Sequence, residues 1–214
     1  NRATQSLRQT GSVFKLFTYL TAIDLGFKVI DQIEDLPLDL DGWKPKNYNK
    51  KYTGSITLEE SFAISSNVAA IRLQEMVGRL NIIEWAKKFG ISSKLKPERS
   101  LSLGTQSISL IEMTNAYATI ASGGIVPFIY GVKEITDRNN EVIYTRNTSN
   151  RSASIDKNVV EELRVLLKSS MDNGTSINAK LPFLNEKNIL YGGKTGTTQD
   201  SKDAWFIGYL DNII

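Results

Sequence analysis

Residues 11–26, GSVFKLFTYLTAIDLG, describe a helix that is apolar on almost every side and still carries a lysine. Apolar residues at 13, 14, 16, 17, 20, 23 and 25 cover most of the circumference, and Gly26 stands where a helix stops. Burying an unpaired ammonium at Lys15 costs several kcal/mol unless the group loses its proton or finds partners. The structural answer is a lysine that snorkels from one end of a core helix. The chemical answer uses the cost. Desolvation, with another cation nearby, lowers the lysine pKa toward neutrality, and a free amine can then take the proton of a hydroxyl one helical turn away. Ser12 lies at that spacing, and because it opens the helix it sets a developing alkoxide at the positive end of the helix dipole.

Composition leaves few other routes to catalysis. The 214 residues include no His and no Cys, which excludes a thiol nucleophile, a Ser-His-Asp triad, a zinc finger and a His-based metal site. Acid–base chemistry falls to Asp, Glu, Lys or Tyr. Hydrophobic residues make 41% and charged residues 23%, enough for a globular core without disulfides or a structural metal. The net charge of +3 comes from scattered basic residues and does not point to nucleic acid. No apolar run approaches the roughly 18 to 20 residues that span a bilayer, and NRATQSLRQTGS lacks the apolar stretch of a signal peptide. The chain reads as soluble, with room for an anchor or export signal upstream of Asn1.

Outward from the first helix, residues 31–53 are rich in Asp, Pro, Asn and Lys and read as an extended surface connection, with helical patterning resuming at Ser55-Ile56-Thr57. TLEESFAISSN and VAAIRLQEMVG read as helices separated near Ser65-Ser66-Asn67, and NIIEWAKKFGI as an amphipathic helix ending at Gly90. In SLIEMTNAYATIASGG, Ile111, Thr114, Ala118 and Ile120 are interleaved with alanine, which predicts a core-facing side of small residues. IYGVKEI and EVIYTR form a hairpin pattern, and DKNVVEELRVLLKSSM an amphipathic helix with Asp156 as N-cap. ILYGGKTGTT and AWFIGYL read as two strands joined by the polar linker Gln199 to Asp203.

The spacing Ser-x-x-Lys occurs three times, against about 1.6 expected by chance, starting at Ser12, Ser93 and Ser154. Ser93 and Ser154 lie in polar surroundings and read as an exposed loop or a helix start. Ser65-Ser66-Asn67 sets a hydroxyl and an amide two residues apart at a helix break. Ser-x-Asn recurs at Ser176, as often as chance allows, and a helix N-cap is an equally good reading. Lys194-Thr195-Gly196-Thr197, after Gly192-Gly193, is rarer: Lys-Thr-Gly is expected about 0.1 times and occurs once. Interior glycines weaken a strand unless something approaches its backbone closely, which predicts a ligand alongside. Lys194 offers charge, Thr195 and Thr197 offer hydroxyls, and the backbone offers N–H groups, a set suited to a carboxylate and a reacting carbonyl. The alternative is a solvated edge strand.

In the order Ser12-x-x-Lys15, Ser65-x-Asn67, Lys194-Thr195-Gly196, these clusters resemble the signature of the serine penicillin-binding proteins and β-lactamases. NRATQSLRQTGSVFK, SLSLGTQSISLIEMTNAYATIASGG and GGKTGTTQDSKDAWFIGY resemble the transpeptidase domain of class A, bifunctional high-molecular-weight penicillin-binding proteins. Thr10 and Leu16 stand where that family often has proline. The resemblance implies an α+β fold of the β-lactamase/transpeptidase type, an antiparallel sheet flanked by helices. Residues 1–214 would form part of one such domain, with two strands before NRATQ and one after AWFIGYL missing, and AWFIGYL left with an unpaired apolar edge.

The resemblance also implies a serine D,D-transpeptidase or carboxypeptidase of peptidoglycan and cell wall biosynthesis, acting on stem peptides ending in D-Ala-D-Ala and acylated by β-lactam antibiotics. In that reading Ser12 is the nucleophile, Lys15 its base, and Ser65 the relay of the proton to the leaving amine. Asn67 orients the substrate amide, Lys194, Thr195 and Thr197 hold the terminal carboxylate beside Gly196, and N–H groups of Ser12 and Thr197 form the oxyanion hole. No metal or cofactor is required and no nucleic acid is a partner. The parent protein is expected at the periplasmic side of the bacterial inner membrane, through an anchor missing from this chain, in a cell-wall synthesis complex and with a glycosyltransferase domain upstream. Other readings are a non-catalytic penicillin-binding or sensor module, an inactive gene fragment, and a β-lactamase. The last lacks the Glu-x-x-Leu-Asn loop of the class A enzymes, since Val77 precedes Leu80-Asn81 and Leu181 precedes Leu184-Asn185 at the glutamate position.

Overall fold

The computed structural model of the chain describes residues 1–147, 155–185, 189–198, 203–211 and 213–214. The buried helix forms as its pattern requires. A 3-10 turn over Gly11–Phe14 runs into α1, Lys15–Asp24, in which every residue from Lys15 to Ile23 is buried. The helix ends at Leu25 and Gly26, the latter at φ +100°, a backbone conformation that favours glycine. Among the described residues five further α-helices follow: α2 (Leu58–Ala63), α3 (Asn67–Val77), α4 (Arg79–Lys88), α5 (Leu110–Ala121) and α6 (Lys157–Asp172). α1 packs against α3, α4 and α6, which is why its whole circumference is apolar. Phe14, Phe17, Phe89 and Trp85 form a chain of edge-to-face contacts through this core. Asp156 caps α6, its carboxylate accepting from the Asn158 N–H.

The strands form four antiparallel pairs among the described residues: β1 (Leu7–Gln9) with β4 (Ser107–Ser109), β2 (Gln32–Asp35) with β3 (Gly54–Thr57), β5 (Glu134–Thr136) with β6 (Val142–Thr145), and β7 (Tyr191–Thr197) with β8 (Ala204–Leu210). The β5–β6 hairpin is exposed along its length. β7 lies on α6 and on the 3-10 turn, and this places Lys194 and Thr195 beside the start of α1. Among the described residues β8 pairs with no strand other than β7. Phe206 on β8 is 47% exposed, next to an apolar hollow of about 170 Å³ lined by Met171, Leu184, Tyr191 and Leu210. The linker 199–202 and the third Ser-x-x-Lys serine, Ser154, lie outside the described residues. Among the described residues no helix is long and apolar enough to cross a membrane.

Three expectations are corrected. Residues 31–53 are not merely a surface connection, because Gln32–Asp35 pairs with Gly54–Thr57 and buries Ile33 and Asp35. A strand whose buried face holds one isoleucine and one carboxylate gives no hydrophobic periodicity to detect. Residues 55–57 belong to that strand pair, and α2 starts at Leu58 behind a capping box from Thr57 and Glu60. On α5 the core-facing side is Met113, Ala116, Tyr117 and Ile120, while Ile111, Thr114 and Ala118 are half-buried. Tyr117 is among the largest fully buried side chains, and its hydroxyl donates to the Val13 carbonyl at 3.0 Å. That bond makes a buried tyrosine tolerable and ties α5 to the turn carrying Ser12.

Candidate active site

Ser12 is held by backbone crowding on both sides of its neighbour Gly11. A Cβ on Gly11 would lie 2.7 Å from the Thr197 carbonyl oxygen and 3.0 Å from the Thr197 nitrogen, and Gly11 has φ +55°. From the other side the Gly11 N–H donates to Gly104 O at 3.1 Å. Residues 11–12 therefore run against the end of β7, and only glycine at 11 permits the approach. Gly196 makes the same contact possible from β7, since a Cβ there would meet Thr10 O at 2.5 Å and Val13 N at 3.1 Å. The glycines of β7 thus serve the protein's own packing rather than the approach of a ligand: Gly192 is covered by Leu167 and Tyr209, and Gly193 by Phe206. Ser12 itself is half-buried.

Lys15 is fully buried and points at the break between α2 and α3. Its Nζ donates to Ser65 O at 2.7 Å, Ser65 Oγ at 3.2 Å and Asn67 Oδ1 at 2.8 Å, which accounts for all three protons of an ammonium. Burial lowers its pKa well below the usual lysine value, and nearby Lys194 lowers it further, while the Asp35 carboxylate opposes both. Among the described residues no hydrogen bond joins Lys15 Nζ to Ser12 Oγ; the amine sits on the 65–67 turn. Ser65 adopts φ +60°, rare for a residue with a side chain. The N-cap of α3 is Ser66, which accepts from the Ala69 N–H, so the capping role and the contact with Lys15 fall to adjacent serines.

Lys194 is also fully buried, and burial alone depresses its pKa to about 7. Its Nζ donates to Thr175 Oγ1 at 3.2 Å and Thr195 O at 3.1 Å and lies 5.7 Å from the Phe62 ring centroid. It does not stand on a solvated edge. Thr195 is half-buried, with its hydroxyl 2.8 Å from that of Thr175 and its N–H donating to Ser176 Oγ at 3.1 Å. Thr197 is exposed. The Ser93 hydroxyl donates to Glu112 and carries no site. Among the described residues no group of three or more His, Cys, Asp or Glu is placed to hold a metal.

Three residues of this region escape a reading of the sequence, Asp35, Asn47 and Thr175, while Ser176, seen there only as a second Ser-x-Asn, accepts from the Thr195 N–H. Asp35 shares the buried face of β2 with Ile33, but one carboxylate beside one isoleucine is too little to read as a period. The others are single polar residues in loops, and only the folded chain shows what they touch.

Residues 1–212 match the family model described as the penicillin binding protein transpeptidase domain. The chain belongs to the penicillin-binding protein transpeptidase family. Penicillin-binding protein 1A of Rickettsia conorii is 34% identical over an alignment covering 100% of this chain and 30% of that protein. The crystal structure of penicillin-binding protein 1A from Haemophilus influenzae superposes with a TM-score of 0.87 at 27% identity, covering 97% of this chain and 37% of that one. The PonA1 protein of Mycobacterium tuberculosis in complex with penicillin V gives a TM-score of 0.81 at 25% identity, covering 96% and 58%. The α+β transpeptidase fold expected from the sequence is the fold of these structures. The chain spans about 30% of the length of the curated relatives.

Proposed function

We propose that residues 1–214 are part of a serine D,D-transpeptidase domain that cross-links, or trims, peptidoglycan stem peptides through an acyl-enzyme on Ser12. The observation that carries this reading is a buried, depressed-pKa lysine one turn from a serine, surrounded by the oxygens of Ser65 and Asn67. A charged Lys15 satisfies all three oxygens. On losing a proton it keeps two donors and gains a lone pair able to accept the Ser12 proton as Ser12 Oγ bonds to the penultimate carbonyl carbon. The carbonyl oxygen takes the negative charge beside the N–H groups of residues 12 and 197. When the peptide bond breaks, the proton passes through Ser65 to the departing D-alanine nitrogen. An amine of a neighbouring strand, or water, then attacks the ester and returns the hydroxyl to Ser12.

Lys194 is suited to the terminal carboxylate because its own partners are few and long, which leaves a donor for an anion. Thr195 and Thr197 extend that subsite, and Asn67 orients the substrate amide. The same reading makes β-lactams acylating inhibitors and sets the parent protein at the periplasmic side of the inner membrane, anchored and within a cell-wall synthesis complex. Penicillin V bound to the PonA1 relative supports the inhibitor part of the reading.

The test is labelling with fluorescent penicillin, with Ser12→Ala as control, followed by assay of D-alanine release from a stem pentapeptide. A persistent label lost in Ser12→Ala, together with D-alanine release, is the expected result. A transient label points to a hydrolase of the β-lactamase kind, a persistent label without D-alanine release to a sensor, and no label to an inactive chain; each overturns the proposal.

A further inference from the structure

The Ser65–Asn67 turn is an unlikely shape to stand alone. Ser65 is left-handed at φ +60°, and such residues persist only where their surroundings over-determine them. The flanking residues are held from the end of β2 and from the stretch between β2 and β3. Ser66 Oγ donates to Asp35 Oδ1 at 2.7 Å, while Asn47 Oδ1 accepts from the Asn67 N–H at 2.8 Å and the Val68 N–H at 3.2 Å. Asp35 and Asn47 are joined to one another, Asn47 Nδ2 donating to Asp35 Oδ1 at 2.6 Å. Each is anchored in turn, Asp35 by the Thr53 N–H at 2.9 Å and Asn47 by the Lys51 carbonyl at 2.9 Å. Asp35 is 0% and Asn47 8% exposed, so these bonds lie where water does not compete.

The orientation of the Asn67 side chain follows from the same stretch. Its Nδ2 donates to the Lys46 carbonyl at 3.0 Å, which commits Oδ1 to the opposite side, where it meets Lys15 Nζ. Residues 46 and 47 therefore decide both where the turn sits and which end of the amide faces the amine.

We infer that Asp35 and Asn47 are a positioning pair for the acyl-transfer site, holding the 65–67 turn so that its oxygens face Lys15. The inference rests on the function proposed above. It assigns the pair no contact with substrate.

The test uses the full-length protein and penicillin acylation resolved into apparent affinity and limiting rate. Asn47→Ala is expected to lower the limiting rate at least about tenfold while apparent affinity stays within about threefold, because the Lys194–Thr195 subsite is untouched. Asn47→Asp keeps an acceptor for the N–H groups of residues 67 and 68 but turns an oxygen, in place of the amide donor, toward Asp35 and the Lys51 carbonyl, and is expected to lose limiting rate as Asn47→Ala does. Where Asn47→Ala does not fold, Ser66→Ala is read the same way and loses about three- to tenfold in limiting rate. A limiting rate within about twofold of wild type in the folded variant overturns the inference. So does a fall of rate and affinity together with melting temperature, the mark of a merely structural role. Failure of the wild type itself to acylate overturns the proposed function, which is a different result.

Discussion

Lys15 and Lys194 are both fully buried, and the fold treats them in opposite ways. Lys15 has three oxygen acceptors, two of them within 2.8 Å, with the Asp35 carboxylate close enough to oppose the loss of its charge. Lys194 has two acceptors beyond 3.0 Å, an aromatic ring, and no carboxylate among the causes of its shift. A cation with a full set of partners keeps its geometry while its proton comes and goes, which suits a base. A cation with an incomplete set gains most when an anion arrives, which suits a binding group. Burial alone does not distinguish these roles; the partners do.

The largest effect that separates them is on rate. Lys15→Ala is expected to lower the limiting rate of penicillin acylation by about 10³, within the usual range for loss of a general base, with little change in affinity. Lys15→Arg fails to rescue it, because a guanidinium does not release its proton near neutral pH. A comparable rate loss in Lys194→Met would reverse the assignment. Lys194→Met instead is expected to weaken apparent affinity for a carboxylate-bearing penicillin by about ten- to a hundredfold, as loss of one charge-assisted hydrogen bond does. Both are read from the concentration dependence of labelling.

The same two positions separate again on stability. Lys15→Met strands Ser65 O and Asn67 Oδ1 in a buried site and is expected to cost about 1–3 kcal/mol in denaturant unfolding. Lys194→Met replaces a poorly partnered amine by an apolar chain of similar volume and is expected to be neutral or stabilising. A loss of stability in Lys194→Met as large as that in Lys15→Met would show that the two buried amines are held alike.

The sequence makes Lys15 legible and leaves its partners hidden, and the reason is physical. An all-apolar helix with one cation is a contradiction visible in eleven or twelve residues, and Lys-Thr-Gly on a glycine-rich strand is rare enough to notice. α1 follows from its unbroken apolar surface, α6 from its hydrophobic period and its Asp156 cap, and β8 from its apolar run AWFIGYL. Asp35 and Asn47 instead lie in a segment whose composition is that of a surface loop, and a buried carboxylate differs from an exposed one only through the hydrogen bonds that surround it. The glycines of β7, which predict a ligand alongside, meet the protein's own chain instead, because a packed neighbour and a ligand make the same demand for space. The placement of the Gly11–Phe14 turn decides it at Gly196, and the Leu167, Tyr209 and Phe206 side chains decide it at Gly192 and Gly193.

The smallest effect tests the unfinished surroundings of Lys194 through pH. Its pKa is about 7 in the folded chain and near 10.5 for an exposed lysine. Between these values the unfolded chain binds a proton that the native chain does not, so native stability rises with pH, with a slope of at most about 1.4 kcal/mol per pH unit. Below pH 7 both forms are protonated and the slope vanishes. Lys15 contributes in the same direction, and because the Lys194 charge lowers the Lys15 pKa, the difference between the two stability curves reports position 194 together with its effect on Lys15. The window is best kept to pH 7–9, since Tyr19 has a raised pKa and tyrosines ionise in the unfolded chain near pH 10, which reverses the trend. Urea unfolding at half-unit steps is expected to give a wild-type curve climbing away from that of Lys194→Met. Parallel curves would mean that Lys194 keeps its proton in the folded state, and the contrast between the two lysines would fail.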